Sequence, residues 1–370
     1  MKGDSMCNHG NHGKCPNSMQ NQCDNDQGSD YSELNLEPLT PLDLSQCDSI
    51  SELLEGMSRT AFGGRCMGEA LDVLQAMVED EDCFVVMTLS GAMTVAKMGL
   101  VICDMIDRGW VNAIISTGAL MAHGLIEGFG MPHFKYRKGM DDVQLHSLGL
   151  DRVYDTLETE ENLNNLETYV KKVLNCYEPE TPVCSHTFIR DTGRLLNETV
   201  ADRAVAKSAY LRDVPVYIPA FSDSELGLDF SLFNRVRRMN GQKPLSYDPF
   251  LDWEDYASRA ISAKKLGIFT IGGGVPRNWA QQLGPYTDIM EVRLQLGEPR
   301  KRFHYGVRVC PEPVHWGGLS GCTYSEGVSW GKFVPENEGG RFAEVMADAT
   351  IAWPILVKAL MERQQKQDRK

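Results

Sequence analysis

Between residues 49 and 77 apolar side chains recur at helical spacing, which predicts helices interrupted at Gly63-Gly64. The pattern then changes. Cys83-Phe84-Val85-Val86-Met87-Thr88 is a compact apolar run and predicts a buried strand. Leu89-Ser90-Gly91-Ala92-Met93 turns out of it into an amphipathic helix reaching about Arg108. Val111-Asn112-Ala113-Ile114-Ile115-Ser116 is a second strand, and Thr117-Gly118-Ala119 opens another helix. Strand, small-residue turn and helix, met twice in succession, predict an α/β fold with a parallel sheet and crossover helices.

Farther along, periodicity predicts a polar helix over residues 151–176 and another over 190–210. Residues 214–220 form a strand ending in Phe221-Ser222-Asp223-Ser224-Glu225, and 240–252 form a polar surface excursion. Gly267-Ile268-Phe269-Thr270-Ile271 is a strand opening into Gly272-Gly273-Gly274. Residues 307–309 and 343–346 are candidate strands, the second leading through Ala347-Asp348-Ala349 into a C-terminal helix. The organisation expected is a polar, disordered leader over 1–37, one domain over 38–362 and a solvated tail over 363–370.

Composition adds limits. An apolar share of 42% and a charged share of 24% are ordinary for a globular protein. The net charge of −14 argues against a nucleic-acid surface and is compatible with a cationic small-molecule substrate. No apolar run is long enough to cross a membrane and the N-terminus lacks a signal-peptide layout, so a cytoplasmic location is expected. The 11 cysteines are too scattered for a disulfide framework and are expected to be free thiols. Cys7, His9, His12 and Cys15, with Cys23 nearby, offer soft ligands in the leader. Their spacing matches no standard zinc finger, so adventitious binding is the favoured reading and no metal site is assigned.

The stretch that concentrates chemistry is Ser325-Glu326-Gly327-Val328-Ser329-Trp330-Gly331-Lys332. A partly desolvated lysine amine becomes a nucleophile, because burial disfavours its charged form. Trp330 offers an apolar wall and a π face for a cation, and Glu326 can hold a cationic group or move a proton. A surface lysine beside a half-buried tryptophan is the alternative. The turns after the predicted strands can hold phosphates at helix N-termini, although none is a G-x-G-x-x-G; small residues there also serve simple tight packing. Asp223 can hold a ribose hydroxyl or cap the next helix. No Walker sequence, HExxH or G-x-S-x-G is present.

In this order and spacing, the glycine-rich strand ends, the Asp223 turn, Glu-Gly-Val-Ser-Trp-Gly-Lys and the C-terminal Ala-Asp-Ala resemble the deoxyhypusine synthase family, in particular its bacterial deoxyhypusine synthase-like branch. The resemblance covers about residues 38–362. It implies one Rossmann-like parallel sheet with helices on both faces, a homotetramer, bound NAD, and transfer of an aminobutyl group from spermidine to an acceptor amine. The acceptor is a protein lysine, as in hypusine formation, or a free diamine, giving homospermidine. On this resemblance Lys332 forms an imine with the four-carbon piece, Trp330 packs along the polyamine and Glu326 pairs with an ammonium. Ser90, Gly91, Ala92, Met93, Thr117, Gly118, Ala119, Asp223, Gly273, Asp348 and Ala349 line the NAD.

The chain also departs from the eukaryotic pattern. An acidic position after the Asp223 turn is Leu228, with Asp229 beside it. A histidine after the glycine-rich strand end is Asn278. An acidic position in the loop before the lysine is Leu319, followed by Ser320, and a glutamate pair becomes Ala122 and His123. His123, Asp229, Asn278, Leu319 and Ser320 are therefore the expected substrate-binding positions, in a pocket rebuilt around a retained lysine. Two other readings are a non-catalytic NAD-binding scaffold and a sirtuin-like deacylase. The latter lacks the paired CxxC motifs and would leave Lys332 without a task.

Overall fold

A computed structural model describes residues 36–295, 297 and 300–367. The Cys/His leader lies outside the described residues. From Thr40 onward the chain forms one compact unit. Its elements in order are α1 (Ile50–Ser58), α2 (Phe62–Glu79), β1 (Cys83–Leu89), α3 (Gly99–Asp107), β2 (Ala113–Ser116) and α4 (Gly118–Gly128). There follow β3 (Phe134–Lys135), α5 (Asp142–Ser147), β4 (Leu150–Val153), β5 (Thr156–Thr159), α6 (Glu160–Leu174), α7 (Ser185–Thr199) and α8 (Val205–Leu211). The second half contains β6 (Val216–Tyr217), α9 (Glu225–Met239), α10 (Phe250–Ser262), β7 (Lys265–Ile271), α11 (Gly274–Gln281), α12 (Leu283–Leu294), β8 (Phe303–Val309), α13 (Tyr324–Ser329), β9 (Arg341–Val345) and α14 (Ala349–Gln367).

Six strands form one parallel sheet in the order β6-β2-β1-β7-β8-β9. Counted within this sheet alone, that is 3-2-1-4-5-6, the order of dinucleotide-binding sheets, with the direction of winding reversing between β1 and β7. Both faces are apolar because alternate residues of each strand enter different cores. Val85, Met87 and Leu89 join the larger core with α2, α3, α4 and α14, whereas Val86, Ile115 and Ile268 join the smaller one with α10, α11 and α12. The expected α/β fold with helices on both faces is thus observed.

Local expectations fared unevenly. The first helical break falls at residues 59–61, ahead of the glycines: the Thr60 amide and hydroxyl both return to the Met57 carbonyl, at 3.0 and 2.7 Å, and end α1. The helix after β1 starts at Gly99, because residues 90–98 form successive turns pinned by Thr94 Oγ1 on the Leu120 carbonyl at 2.6 Å. The polar helix expected from residue 151 begins at Glu160. Before it, β4 and β5 form a hairpin about Tyr154, whose φ is +53°, and β3 completes a small antiparallel sheet. The helix expected over 190–210 is two helices, because Lys207 Nζ collects the carbonyls of Val200, Ala201 and Asp202 at the bend. The excursion at 240–252 already contains the start of α10. In place of a tail from residue 363, α14 continues to Gln367, with Arg363 bonded to Asp72 and Gln75 of α2. No described helix is long and apolar enough to cross a membrane.

Candidate active site

Lys332 is placed by the way α13 ends. Trp330 is the C-cap, and Gly331 follows in the left-handed region with φ +68°. The Gly331 amide returns to the Val328 carbonyl at 3.0 Å and the Lys332 amide to the Gly327 carbonyl at 3.1 Å. This is a Schellman termination, which favours glycine because a Cβ is strained at that φ. The Lys332 carbonyl then accepts from the Phe303 amide at 2.9 Å, so the lysine backbone is held from both sides by helix and sheet.

Its side chain enters an open cleft of about 330 Å³ lined by Asn278, Leu319, Cys322, Glu326 and Trp330 among others. Lys332 Nζ donates to Asn278 Oδ1 at 3.3 Å and lies 5.9 Å from the centre of the Trp330 ring. Burial holds the amine below its ordinary pKa, and the Arg277 guanidinium pushes in the same direction while Cys322 and Glu326 act against them. A larger neutral fraction is what a nucleophilic amine requires. Glu326 occupies the third position of α13, where its amide is capped by Thr323 Oγ1 at 3.0 Å. Trp330 stands at the rim, 65% exposed, so in this chain it is an open π face rather than an enclosing wall.

The cleft floor is held by two buried arginines that sequence reasoning had not singled out. Arg277 and Arg308 are each 1% exposed, and both reach the Cys322 carbonyl, at 2.7 and 2.9 Å. Arg308 also contacts the Ser320 carbonyl and pairs with Glu344 at 2.6 Å. Arg277 Nε and Nη2 have no partner. The available signal was an arginine beside Asn278, directly after a glycine-rich strand end.

The strand ends assigned to NAD meet at the winding reversal. The Ser90 amide bonds the Ile271 carbonyl at 3.1 Å, Ser90 Oγ accepts from the Gly273 amide at 2.9 Å, and Thr117 Oγ1 donates to the Gly91 carbonyl at 2.6 Å. Thr117 caps α4, which begins at Gly118-Ala119. A Cβ at Gly118 would lie 2.2 Å from Ser224 Cβ, which brings the Asp223 turn against this edge. Gly274 has φ +61° with nothing within 4 Å of a built Cβ, so the first turn of α11 is open to an approaching group. These features fit a pyrophosphate at helix N-termini. Asp348 lies at the end of β9, where it caps α14 through Thr350, and Ala349 beside it is buried. The two regions touch: a Cβ at Gly273 would lie 2.4 Å from Ser320 Cα.

Of the five expected substrate positions, Asn278 and Leu319 line the lysine cleft, and Ser320 sits under it against Gly273. His123 and Asp229 are not brought there. His123 is buried on α4 against Glu158 and His133. Asp229 lies on α9, where burial and Glu167 push its carboxyl up to about 6.

Comparison with known proteins gives a consistent result. The family model described as deoxyhypusine synthase matches residues 52–360. A "Probable deoxyhypusine synthase 2" of Methanosarcina mazei is 33% identical over 88% of this chain and 90% of its own length. A deoxyhypusine synthase-like protein of Chlorobaculum parvum is 32% identical over 86% and 88%. A solved chain described as a deoxyhypusine synthase from Entamoeba histolytica superposes with a TM-score of 0.56 at 14% identity, over 88% of this chain and 97% of that one, and shares the fold.

Proposed function

Because the chain belongs to the deoxyhypusine synthase family, a family of alkyl transferases, we propose that it moves the aminobutyl part of spermidine to an acceptor amine through an imine on Lys332, with NAD as cofactor. The observation that carries this reading is the half-buried Lys332 amine, depressed in pKa, beside neutral Asn278.

When bound, NAD supplies a hydride acceptor and returns the hydride at the end. The Gly272–Gly274 turn, Ser90–Met93 and the start of α4 would hold it. Lys332 in its neutral form attacks the oxidised carbon, and 1,3-diaminopropane leaves as the lysine imine forms. An incoming amine then displaces Lys332, which leaves with its original nitrogen. Glu326 supports the ammonium groups, and its carboxylate can take up the proton released by an attacking amine. Trp330 lies along the methylene chain.

The acceptor is a free diamine in this reading. Asn278 and Leu319 stand where eukaryotic relatives carry ionisable groups, so fewer fixed charges select for one extended donor. Mass spectrometry of the purified protein with NAD, spermidine and putrescine tests it, alongside Lys332→Ala. Homospermidine and 1,3-diaminopropane, both lost in the variant, are the expected products. Spermidine left intact with NAD bound would overturn the donor assignment; diaminopropane released only with a protein acceptor would replace the diamine with a protein lysine.

A further inference from the structure

His123, His133 and Glu158 come from three separate places: α4, the segment after it, and β5 of the small antiparallel sheet. Their ring and carboxylate atoms nevertheless converge. His133 Nε2 is 2.7 Å from Glu158 Oε2, His123 Nδ1 is 3.3 Å from the same oxygen, and the two nitrogens are 3.2 Å apart. All three side chains are buried, to 0%, 2% and 9% exposure for His133, Glu158 and His123. We propose that this cluster is a divalent metal site of the zinc class, in which His123 Nδ1, His133 Nε2 and Glu158 Oε2 are the ligands.

Proton bookkeeping supports a cation. Lys97 Nζ lies 3.0 Å from His133 Nδ1 and donates to it, so the neutral His133 ring carries its proton on Nε2 and gives it to Glu158. His123 Nδ1 then faces an N–H at 3.2 Å if it is protonated, or a carboxylate oxygen at 3.3 Å if it is not. Either state leaves one close pair repulsive. One ion at the centre makes all three atoms electron donors and removes the conflict.

The geometry agrees. Metal–ligand bonds of about 2.0–2.1 Å in a tetrahedron place ligand atoms about 3.3–3.4 Å apart. Two of the three edges have that length. The third, at 2.7 Å, opens by a small rotation of His133. Glu158 is oriented for one-oxygen ligation, because its Oε1 is already engaged by the Thr159 amide at 2.8 Å and Asn162 Nδ2 at 2.7 Å. Burial alone would raise the Glu158 pKa, but these donors and the two histidines outweigh it and keep the group ionised. When His133 Nε2 binds the ion, its proton moves to Nδ1. Lys97, which is 45% exposed, then turns to Glu127, already 3.5 Å away.

The described residues contain one other convergent set, Cys184, His186 and Asp252. There Asp252 is saturated by the amides of Ser185 and His186, Ser185 Oγ and His186 Nδ1, which is a structural anchor. The His123 cluster has no such saturation at Oε2. An ion there would staple the antiparallel sheet onto α4, a contact that otherwise crosses between distant segments. The site stands independently of the transferase reading.

The test uses the full chain with Cys7, Cys15 and Cys23 changed to serine, so that leader thiols do not contribute. After dialysis against zinc, elemental analysis should give one ion per chain. The cobalt(II)-loaded protein should show visible bands of a four-coordinate site without a thiolate charge-transfer band. His133→Gln and Glu158→Gln should each lose binding at least tenfold, and Lys97→Met should tighten it several-fold. No stoichiometric zinc, a thiolate band, binding retained in both ligand variants, or weaker binding in Lys97→Met would each overturn the proposal. The cobalt spectrum of the unmutated cluster decides the ligand type even if a ligand variant fails to fold.

Discussion

Asn278 Oδ1 accepts the hydrogen bond of Lys332 Nζ at 3.3 Å, so the lysine meets a neutral amide rather than an anion. The two residues lie on different elements, α11 and the turn after α13. An amide orients the amine without holding its proton. Changing Asn278→Asp places a carboxylate against Nζ and should raise the lysine pKa. The alkaline-side activation in kcat/KM against pH should then move upward by about one to two pH units. An unchanged profile would mean that another group controls that limb.

Lys332→Ala should lower transfer by at least about 10³-fold while leaving the melting temperature close to that of the parent. Borohydride added with NAD and spermidine should label the parent at Lys332 and leave the variant unlabelled. Labelling elsewhere would remove Lys332 from the role of nucleophile.

Gly331→Ala puts a Cβ at φ +68°, 3.1 Å from Asp288 Oδ2. The strain costs about 1–2 kcal/mol, and relief by unwinding the Schellman turn displaces Lys332. Calorimetry should register the lower stability, and kcat should fall more than KM rises. A fall in stability with kcat intact would show that the turn does not position the lysine.

Gly273→Ala has ordinary extended backbone but no room, since its Cβ would meet Ser320 Cα at 2.4 Å. Moving the 317–323 loop should weaken NAD binding and amine binding together, by roughly tenfold each, with about 1–3 kcal/mol lost in stability. Loss of only one affinity, by titration calorimetry, would separate the two regions.

His186 provides a pH signature for stability. Burial disfavours its charged form, but Asp252 and Cys184 outweigh this and push the pKa up to about 9. The folded pKa lies above the unfolded value near 6.5. The charged pair therefore stabilises fully below about pH 6.5, and its contribution fades as pH rises through 9. Urea unfolding of the parent and His186→Gln should differ by on the order of 1–3 kcal/mol at pH 6 and converge by pH 9.5. A constant difference would make the role of His186 one of packing.

The sequence by itself determined the parallel sheet and its strand ends. Val85-Val86-Met87 and Ala113-Ile114-Ile115 are apolar on both faces, which only a sheet covered on both sides accommodates. Glu326, Trp330 and Lys332 were legible because they lie within one turn and its cap, and local geometry follows local sequence. What lay between β2 and β6 was not legible. Tyr154 turns a polar stretch into a hairpin because β3 is available to pair with β5, a partner about twenty residues earlier that periodicity does not reveal. Only the tertiary structure set Asn278 against Lys332, Gly273 beneath Ser320, and His123 against His133 and Glu158. Each contact joins residues that the chain separates, and close packing, not local preference, decides which of them meet.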